Sequence, residues 1–179
     1  ATVAGSADYH LHFDFPKPPA GAEQAAPKPP RMWTGFTGHA GNVEVLARAS
    51  LEGQTVSASV ELPRAEPADL VKLVPGLLIA ERTSLRASID GTYPTFDIDA
   101  RLDVMPTEKP PASVVVAGKL DVTNGPKLVV DVTSTDLDAR AFREDFPATS
   151  VDAKARLFFA ANPSPRFVVD ASIDPMELA

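Results

Sequence analysis

The sequence predicts an all-β fold built from antiparallel strands, and three observations carry this prediction. Apolar and polar residues alternate with period two along most of the chain, which is typical of strands with one dry face and one solvated face. Short turn sequences such as Asn124-Gly125 separate the alternating runs. The 179 residues include 18 prolines, which interrupt interior helices and central strands and so disfavour long helices.

Composition excludes several functional classes. The chain has 17 Lys and Arg against 24 Asp and Glu, a net charge of −7, which argues against binding to nucleic acid or charge-driven docking on an anionic membrane. There are no cysteines, so disulfides, thiolate nucleophiles and zinc–thiolate sites are excluded. The sequence therefore predicts no nucleic-acid partner.

Nine alternating runs predict nine strands, and a further segment, Arg31–His39, is a candidate tenth. Tight turns are predicted at Glu52–Gln54, Asp90–Pro94, Thr123–Pro126 and Ala161–Pro165, where Gly, Pro and Asn cluster. The nine runs are Tyr9–Phe15, Val43–Leu51, Val56–Leu62, Leu85–Ile89, Phe96–Val104, Val114–Val122, Leu128–Val132, Val151–Phe159 and Phe167–Ile173.

Three segments interrupt the alternation. Residues 16–30 are rich in proline and predict a flexible, polyproline-like loop. Pro67–Val74 carries proline near its start, apolar residues at helical spacing and Pro-Gly after its end, which predicts a two-turn helix. Leu137–Glu144 predicts a second short helix.

The two predicted helices have matching flanks, which indicates an internal repeat. Strand, helix, strand, hairpin and strand follow one another at residues 54–104 and again at 126–174, and the first strands begin 72 positions apart, at Val56 and Leu128. A fixed period favours a repetitive array, so we expect residues 1–179 to be one β-repeat segment. A self-contained two-sheet sandwich with pseudo-symmetry is the alternative.

The apolar positions of these strands need something to cover them, because a monomer tolerates only a few hundred Å² of exposed apolar patch. The two short helices are too small. The sheet could pack against a second sheet, close into a barrel, or form a trough occupied by acyl chains. No polar residue interrupts the apolar positions of the nine runs, which favours lipid tails over a defined small molecule. The predicted lining residues are Val45, Ala47, Val56, Ala58, Val60, Leu85, Ala87, Ile89, Phe96, Ile98, Ala100, Leu102, Val114, Val116, Leu120 and Leu128.

Four stretches of the sequence resemble the AsmA-like / TamB family: Val43–Leu51, Gly53–Leu62, Ser84–Gly91 and Gly125–Asp138. The likeness covers roughly residues 35–175. It implies an elongated, curved antiparallel sheet, a U-shaped groove or β-taco with an apolar interior, in a periplasmic protein anchored in the inner membrane. It also implies phospholipid transport towards the outer membrane or assistance in outer-membrane biogenesis. The family's anchor helix and C-terminal domain have no counterpart here, so we expect an internal fragment.

Two groups of polar residues are candidate chemical sites. His10, His12 and Asp14 share one strand face and could hold a divalent metal, with His39 as a third imidazole; a solvated strand face is the favoured interpretation. Paired carboxylates, as in glycoside hydrolases, occur at Asp97, Asp99 and Asp103. Their regular spacing in a strand favours a charged outer face instead.

The sequence thus predicts a non-enzymatic lipid conduit with no catalytic residue, metal or cofactor. Its partners would be phospholipid acyl chains, an outer-membrane assembly partner and flanking repeats of the same parent chain. A secreted β-sandwich module that binds a protein or a glycan through its loops is the alternative function.

Overall fold

The computed structural model of the protein describes residues 7–14, 29–73, 79–105, 111–141, 149–174 and 177–178. These residues form eleven strands, one α-helix and one 3₁₀ turn. The elements are β1 Ala7–Asp14, β2 Arg31–Ala40, β3 Val43–Glu52, β4 Thr55–Ala65, α1 Pro67–Leu73, β5 Arg82–Thr92, β6 Thr95–Met105, β7 Ala112–Asp121, β8 Lys127–Leu137, the 3₁₀ turn Ala139–Ala141, β9 Thr149–Ala160, β10 Arg166–Ile173 and β11 Glu177–Leu178.

Strands β1 to β10 form one open antiparallel sheet in chain order. Each strand pairs with the next along the chain, and five of the nine connections are turns of two to five residues that fold back directly. The two-residue strand β11 pairs with the first residues of β9. The predicted antiparallel all-β fold is therefore confirmed. The described strands lie in one sheet, so the two-sheet sandwich is not what these residues form.

The strands are longer than the predicted runs, and the candidate tenth strand is present as β2. Backbone pairing explains the added length. Arg82 and Thr83 lie opposite Met105 and Val104, so the ladder of β5 extends beyond the predicted run Leu85–Ile89. Phe15 and most of the proline-rich loop, residues 16–28, lie outside the described residues.

The first helix is confirmed, but the second is wrong as predicted. Helix α1 begins at Pro67, where the missing N–H of proline costs no hydrogen bond. Leu137, the predicted helix start, instead ends β8, and a single 3₁₀ turn follows. The carboxylate of Asp138 accepts hydrogen bonds from the backbone N–H of Arg140 at 3.0 Å and of Thr149 at 3.2 Å, which stabilises a tight turn at this point. Residues 142–148, the remainder of that prediction, are outside the described ranges.

Two β-bulges interrupt the ladder of the sheet. In β4 the register shifts by one residue between Leu62 and Ala65, where Pro63 has no N–H to donate to the ladder. In β8 it shifts between Ser134 and Leu137, where Asp136 has a left-handed φ of 52°. Both bulges lie just before the connection that leaves the strand.

The two ends of the strands differ, and we name them by their connections. At the hairpin end lie the turns at residues 53–54, 93–94, 122–126 and 161–165. At the helix end lie α1, the 3₁₀ turn and the Gly41-Asn42 turn, and the backbone N–H of Ala80 donates to the carbonyl of Ala141 at 2.6 Å.

Among the described residues, the buried clusters lie at the helix end. One buried cluster consists of Val43, Ala65 and Leu70, with Leu62 packed against it. A second consists of Val104, Ala112 and Ala141, with Leu102 and Leu137 against it. Helix α1 and the 3₁₀ turn therefore each cover a small part of one sheet face at this end.

Charged contacts fix α1 to the sheet. Asp69 accepts hydrogen bonds from Lys72 Nζ at 2.9 Å and from Asn42 Nδ2 at 3.2 Å, which joins the helix to the β2–β3 turn. Glu66 accepts from Arg64 and Arg82. These hydrogen bonds hold the pKa of both carboxyl groups below its ordinary value.

Candidate functional site

The register gives the sheet one continuous apolar face. Directly opposed residues of an antiparallel ladder point to the same side, so a row of partners can be followed from strand to strand. The central row crosses all ten strands through Leu11, Thr34, Ala49, Ala58, Ile89, Ile98, Gly118, Val130, Leu157 and Val169. The next row towards the helix end contains Phe36, Ala47, Val60, Ala87, Ala100, Val116, Val132, Ala155 and Ala171.

All sixteen residues predicted to line a groove, from Val45 in β3 to Leu128 in β8, lie on this face. Each is partly buried and none is fully buried, because neighbouring side chains shield it sideways while, away from the helix end, the described residues form no second layer over it. The apolar face is thus assembled as a surface, in contrast to the buried clusters at the helix end.

A shallow hollow of about 470 Å³ lies on this face across β2 to β5. Small side chains create it: Ala47, Ala49, Ala58 and Ala87 form its floor where larger residues would fill the space. Volumes of this order accommodate small apolar ligands. The sequence indicated these alanines as lining, but their clustering across four strands follows only from the register.

The apolar face contains polar residues that the nine runs did not predict. Thr34 belongs to the central row, and its hydroxyl has no hydrogen-bond partner among the described residues although the oxygen is buried. Ser134 and Thr83 also lie on this face near the helix end, and Ser134 Oγ accepts a hydrogen bond from the backbone N–H of Ala153. The expectation of an uninterrupted apolar lining is therefore wrong at these three positions.

Aromatic side chains concentrate at the hairpin end. Of the eight aromatic residues whose side chains the structure describes, seven lie in a turn or among the last three strand residues there, and Phe36 is the exception. The sequence already places Phe13, Phe96, Phe159 and Phe167 at strand ends, but that these ends share one side of the sheet with Trp33 and Tyr93 follows only from the register. The seven residues are Phe13, Trp33, Tyr93, Phe96, Phe158, Phe159 and Phe167.

The opposite face is polar and is held by cross-strand ion pairs. Opposite charges directly across a ladder favour one register, because a slip would separate them. The pairs are Arg31–Glu52 at 2.6 Å, Glu61–Arg86 at 3.0 Å, Asp97–Lys119 at 3.4 Å and Asp131–Arg156 at 2.8 Å.

Ion pairs shift the pKa values of Asp131, Arg156 and Arg31 on this face. Arg156 donates from Nε and Nη2 to the two carboxylate oxygens of Asp131, at 2.8 and 2.9 Å. This bidentate contact lowers the pKa of Asp131 and raises that of Arg156. The hydrogen bond to Glu52 likewise raises the pKa of Arg31.

The carboxylates that are candidates for catalysis lie in two separate places. Asp97 and Asp99 line a polar hollow of about 660 Å³ between β6 and β9, together with Lys119, Asp131 and Arg156. Asp121 also lines it and accepts hydrogen bonds from Thr123, which lower its pKa. Asp103 lies apart and accepts a hydrogen bond from Arg101 Nε at 2.8 Å. Arginine and lysine side chains thus neutralise most of these carboxylates.

The histidines do not assemble into a metal site. His10, His12 and Asp14 are exposed on the polar face of β1, and the His12 ring stacks on Trp33 with centroids 5.2 Å apart. Strand β2 is adjacent to β1, but their pairing begins at Ala7 opposite Gly38. His39 is the next residue of β2 and lies opposite Glu44 of β3, so no β1 residue pairs with it. Within the described ranges, no three His, Asp or Glu side chains are grouped so that they could hold a metal ion.

Comparisons with family models, curated proteins and solved structures found no match to this chain. In the part of the chain that the structure describes, no helix has the length and apolarity needed to cross a bilayer. The case for function therefore depends on the chemistry of the sheet itself.

Proposed function

We propose that this chain is a segment of an AsmA/TamB-like protein and that its apolar sheet face holds phospholipid acyl chains. The observation that carries the proposal is the continuity of that face over ten strands, which the described residues cover only at the helix end, beneath α1 and the 3₁₀ turn. At a spacing of about 4.8 Å between strands, the face extends for about 43 Å across the sheet. An apolar face of this length is better suited to acyl chains that move along it than to a single bound small molecule.

The proposed mechanism is partition. Acyl chains leave water for the apolar face, a transfer that stabilises the complex by about 0.8 kcal/mol per buried CH₂ group. No directional contact is required, which is consistent with a lining of Val, Leu, Ile, Ala and Phe. The lipid head groups remain in water at the hairpin end, where Tyr93 provides an exposed amphipathic side chain that favours an apolar–aqueous boundary.

We further propose that the sheet curves into a trough and is built from two repeats. The hollow across β2 to β5 and the bulges, which bend strands and increase their twist, support curvature. The two bulges lie 72 positions apart in the sequence. Ser134 follows Leu62 by 72 positions, and Leu137 follows Ala65 by the same number. The connection in each case continues into a short helical turn, which supports the repeat interpretation.

In this proposal the parent protein lies in the periplasm, anchored in the inner membrane, with phospholipid as cargo. Flanking repeats and an outer-membrane assembly partner are its proposed neighbours. The ion-paired polar face would then lie towards water, where its exposed charges oppose association with apolar surfaces.

The test is lipid binding by the purified chain. Native mass spectrometry combined with lipid extraction should find phospholipid bound to the wild type. The double variant Val60→Asp/Ile98→Asp should lose it, because carboxylates on the apolar face are costly to desolvate beside acyl chains. The matched control Ser59→Asp/Val129→Asp adds the same charge to the polar face and should retain lipid.

Circular dichroism confirms that both variants keep their strand content before binding is compared. Wild-type protein that remains free of lipid when purified gently and mixed with phospholipid would overturn the proposal. Equal lipid loss from the two variants would also overturn it, because it would show that the apolar face has no special part in binding.

A further inference from the structure

The two end strands of the sheet, β1 and β10, have matching lengths and exposed side chains. Each has eight residues, and among the described residues no strand pairs with the outer side of either. Residues 10–14 of β1 and all of β10 are exposed. Strand edges of this kind are templates for pairing with another chain unless they are blocked.

The topology makes the two edges compatible with each other. Strands alternate in direction through ten positions, so β10 runs opposite to β1. The β1 strand of a second copy can therefore lie beside β10 as the next antiparallel strand with its apolar face on the same side. In the one register that pairs all eight residues, Asp14 lies opposite Arg166 and position 7 lies opposite Ile173.

Apolar side chains match across this seam. Leu11, 48% exposed, lies opposite Val169, 52% exposed, and both belong to the central apolar row. Phe13 lies opposite Phe167, which is 65% exposed. Pairing would remove much of this surface from water, and cross-strand aromatic and aliphatic pairs of this kind stabilise ladders.

Polar side chains also match across the seam. On the other face Asp14 lies opposite Arg166, and Asp170 lies opposite His10, whose imidazole N–H can donate to a carboxylate. Carboxylates and N–H donors then alternate across the seam in two rows. One row has Asp131, Arg156, Asp170 and His10, and the other has Arg166, Asp14, Arg31 and Glu52.

Other registers lose the contact between Asp14 and Arg166. A one-residue slip turns the apolar side chains of β1 to the polar face. A two-residue slip places Asp14 opposite Val168 in one direction and His12 opposite Arg166 in the other. The eight-residue register is therefore the one that the side chains of both strands support.

We propose that copies of this chain associate head to tail, with β10 of one copy pairing with β1 of the next. Such a contact uses two different surfaces, so it propagates into an open row of copies and does not close as a symmetric dimer. Each addition lengthens the sheet by ten strands and continues the apolar face. The inference concerns the 179-residue chain by itself and does not depend on what that face binds; in the longer parent protein proposed above, flanking repeats would occupy the same two edges.

Sedimentation velocity tests the proposal with two edge variants. Wild-type mass should rise with protein concentration. Leu11→Lys blocks the β1 edge and Val169→Lys blocks the β10 edge, since an inward charge on an edge strand prevents pairing. Each variant alone should remain monomeric. Their mixture should form a 1:1 heterodimer, because Leu11→Lys retains an intact β10 and Val169→Lys retains an intact β1.

The mixing result also shows that both variants fold. Ala87→Lys is the control for face-to-face stacking, since Ala87 lies on the apolar face in β5, away from both edges. This variant should associate as the wild type does. A wild type that is monomeric at every concentration, a mixture without heterodimer, or loss of association in Ala87→Lys would each overturn the proposal.

The register has its own test, because the chain has no native cysteine. Mixed and oxidised, the Leu11→Cys and Val169→Cys variants should form a disulfide-linked heterodimer. Leu11→Cys mixed with Phe167→Cys should cross-link far less, because a diagonal pair exceeds the Cα separation of about 4.4–6.8 Å that a disulfide allows. Equal yields from the two mixtures would contradict the proposed register.

Discussion

Gly118 in β7 provides a sharp test of the packing between β7 and β8. It lies on the apolar face opposite Ile98 and Val130. A Cβ atom at this position would come within 2.5 Å of the carbonyl oxygen of Val129 and 2.9 Å of Val130 Cγ2. Because one of these atoms belongs to the backbone, the two strands must separate for Gly118→Ala to fit.

The expected magnitude follows from that crowding. Overpacking of this kind costs about 1–3 kcal/mol, and in a chain of this length each kcal/mol shifts Tm by about 2–4 °C. Thermal unfolding followed by circular dichroism should therefore show Tm lowered by about 2–12 °C for Gly118→Ala.

Gly35 in β2 is the matched control. It is also a strand glycine, but a Cβ atom there would meet no atom within 4 Å. Gly35→Ala should leave the free energy of unfolding unchanged or raise it by up to about 1 kcal/mol, because alanine restricts the unfolded chain more than glycine does. Equal Tm values for the two variants would refute the close approach of β7 and β8.

Three further predictions concern the helix end and the polar face. Leu70→Ala should cost about 2–5 kcal/mol in denaturant unfolding because Leu70 is buried, whereas Val71→Ala, at an exposed position, should change stability by less than about 0.5 kcal/mol. Similar losses would contradict the packing of α1. The lowered pKa of Asp69 means that its charged form stabilises the fold above the ordinary value of 3.8, and that this contribution disappears as the pH falls through the lower folded pKa. Unfolding of Asp69→Asn should therefore differ from wild type at pH 7 and converge with it in acid, and a constant difference would be incompatible with this contact. A double-mutant cycle on Asp131 and Arg156 should give a favourable coupling at low salt that fades near about 1 M salt, because both side chains are exposed; a coupling independent of salt would argue against a surface ion pair.

Alternation predicted most of the strands because one face of each strand is apolar and the other is polar. It was weakest at β2, where the apolar face includes Thr34 and Gly38 beside Phe36. Propensity gave α1 correctly, since Pro67 begins it and Leu70 packs on the sheet. It failed at Leu137 because the bulge at Asp136 and the carboxylate of Asp138 favour a tight turn over a helix.

The sequence could predict which residues share a face, but the distances between strands depend on the register. The alanine hollow requires Ala47, Ala58 and Ala87 to be neighbours across three strands. The pairing of Asp131 with Arg156 likewise joins residues 25 positions apart. Periodicity within single runs contains no information on either, since each depends on how the hairpins align.

The most direct test of the account asks whether acyl chains touch one face of the sheet only. Trp33 is the single tryptophan of the chain, so Trp33→Phe provides a silent background for single tryptophans along β6. Phospholipid with brominated acyl chains should quench the fluorescence of Ile98→Trp strongly and that of Asp99→Trp weakly, because these neighbours point to opposite faces. Equal quenching at both positions, or none at either, would contradict a lipid-binding apolar face.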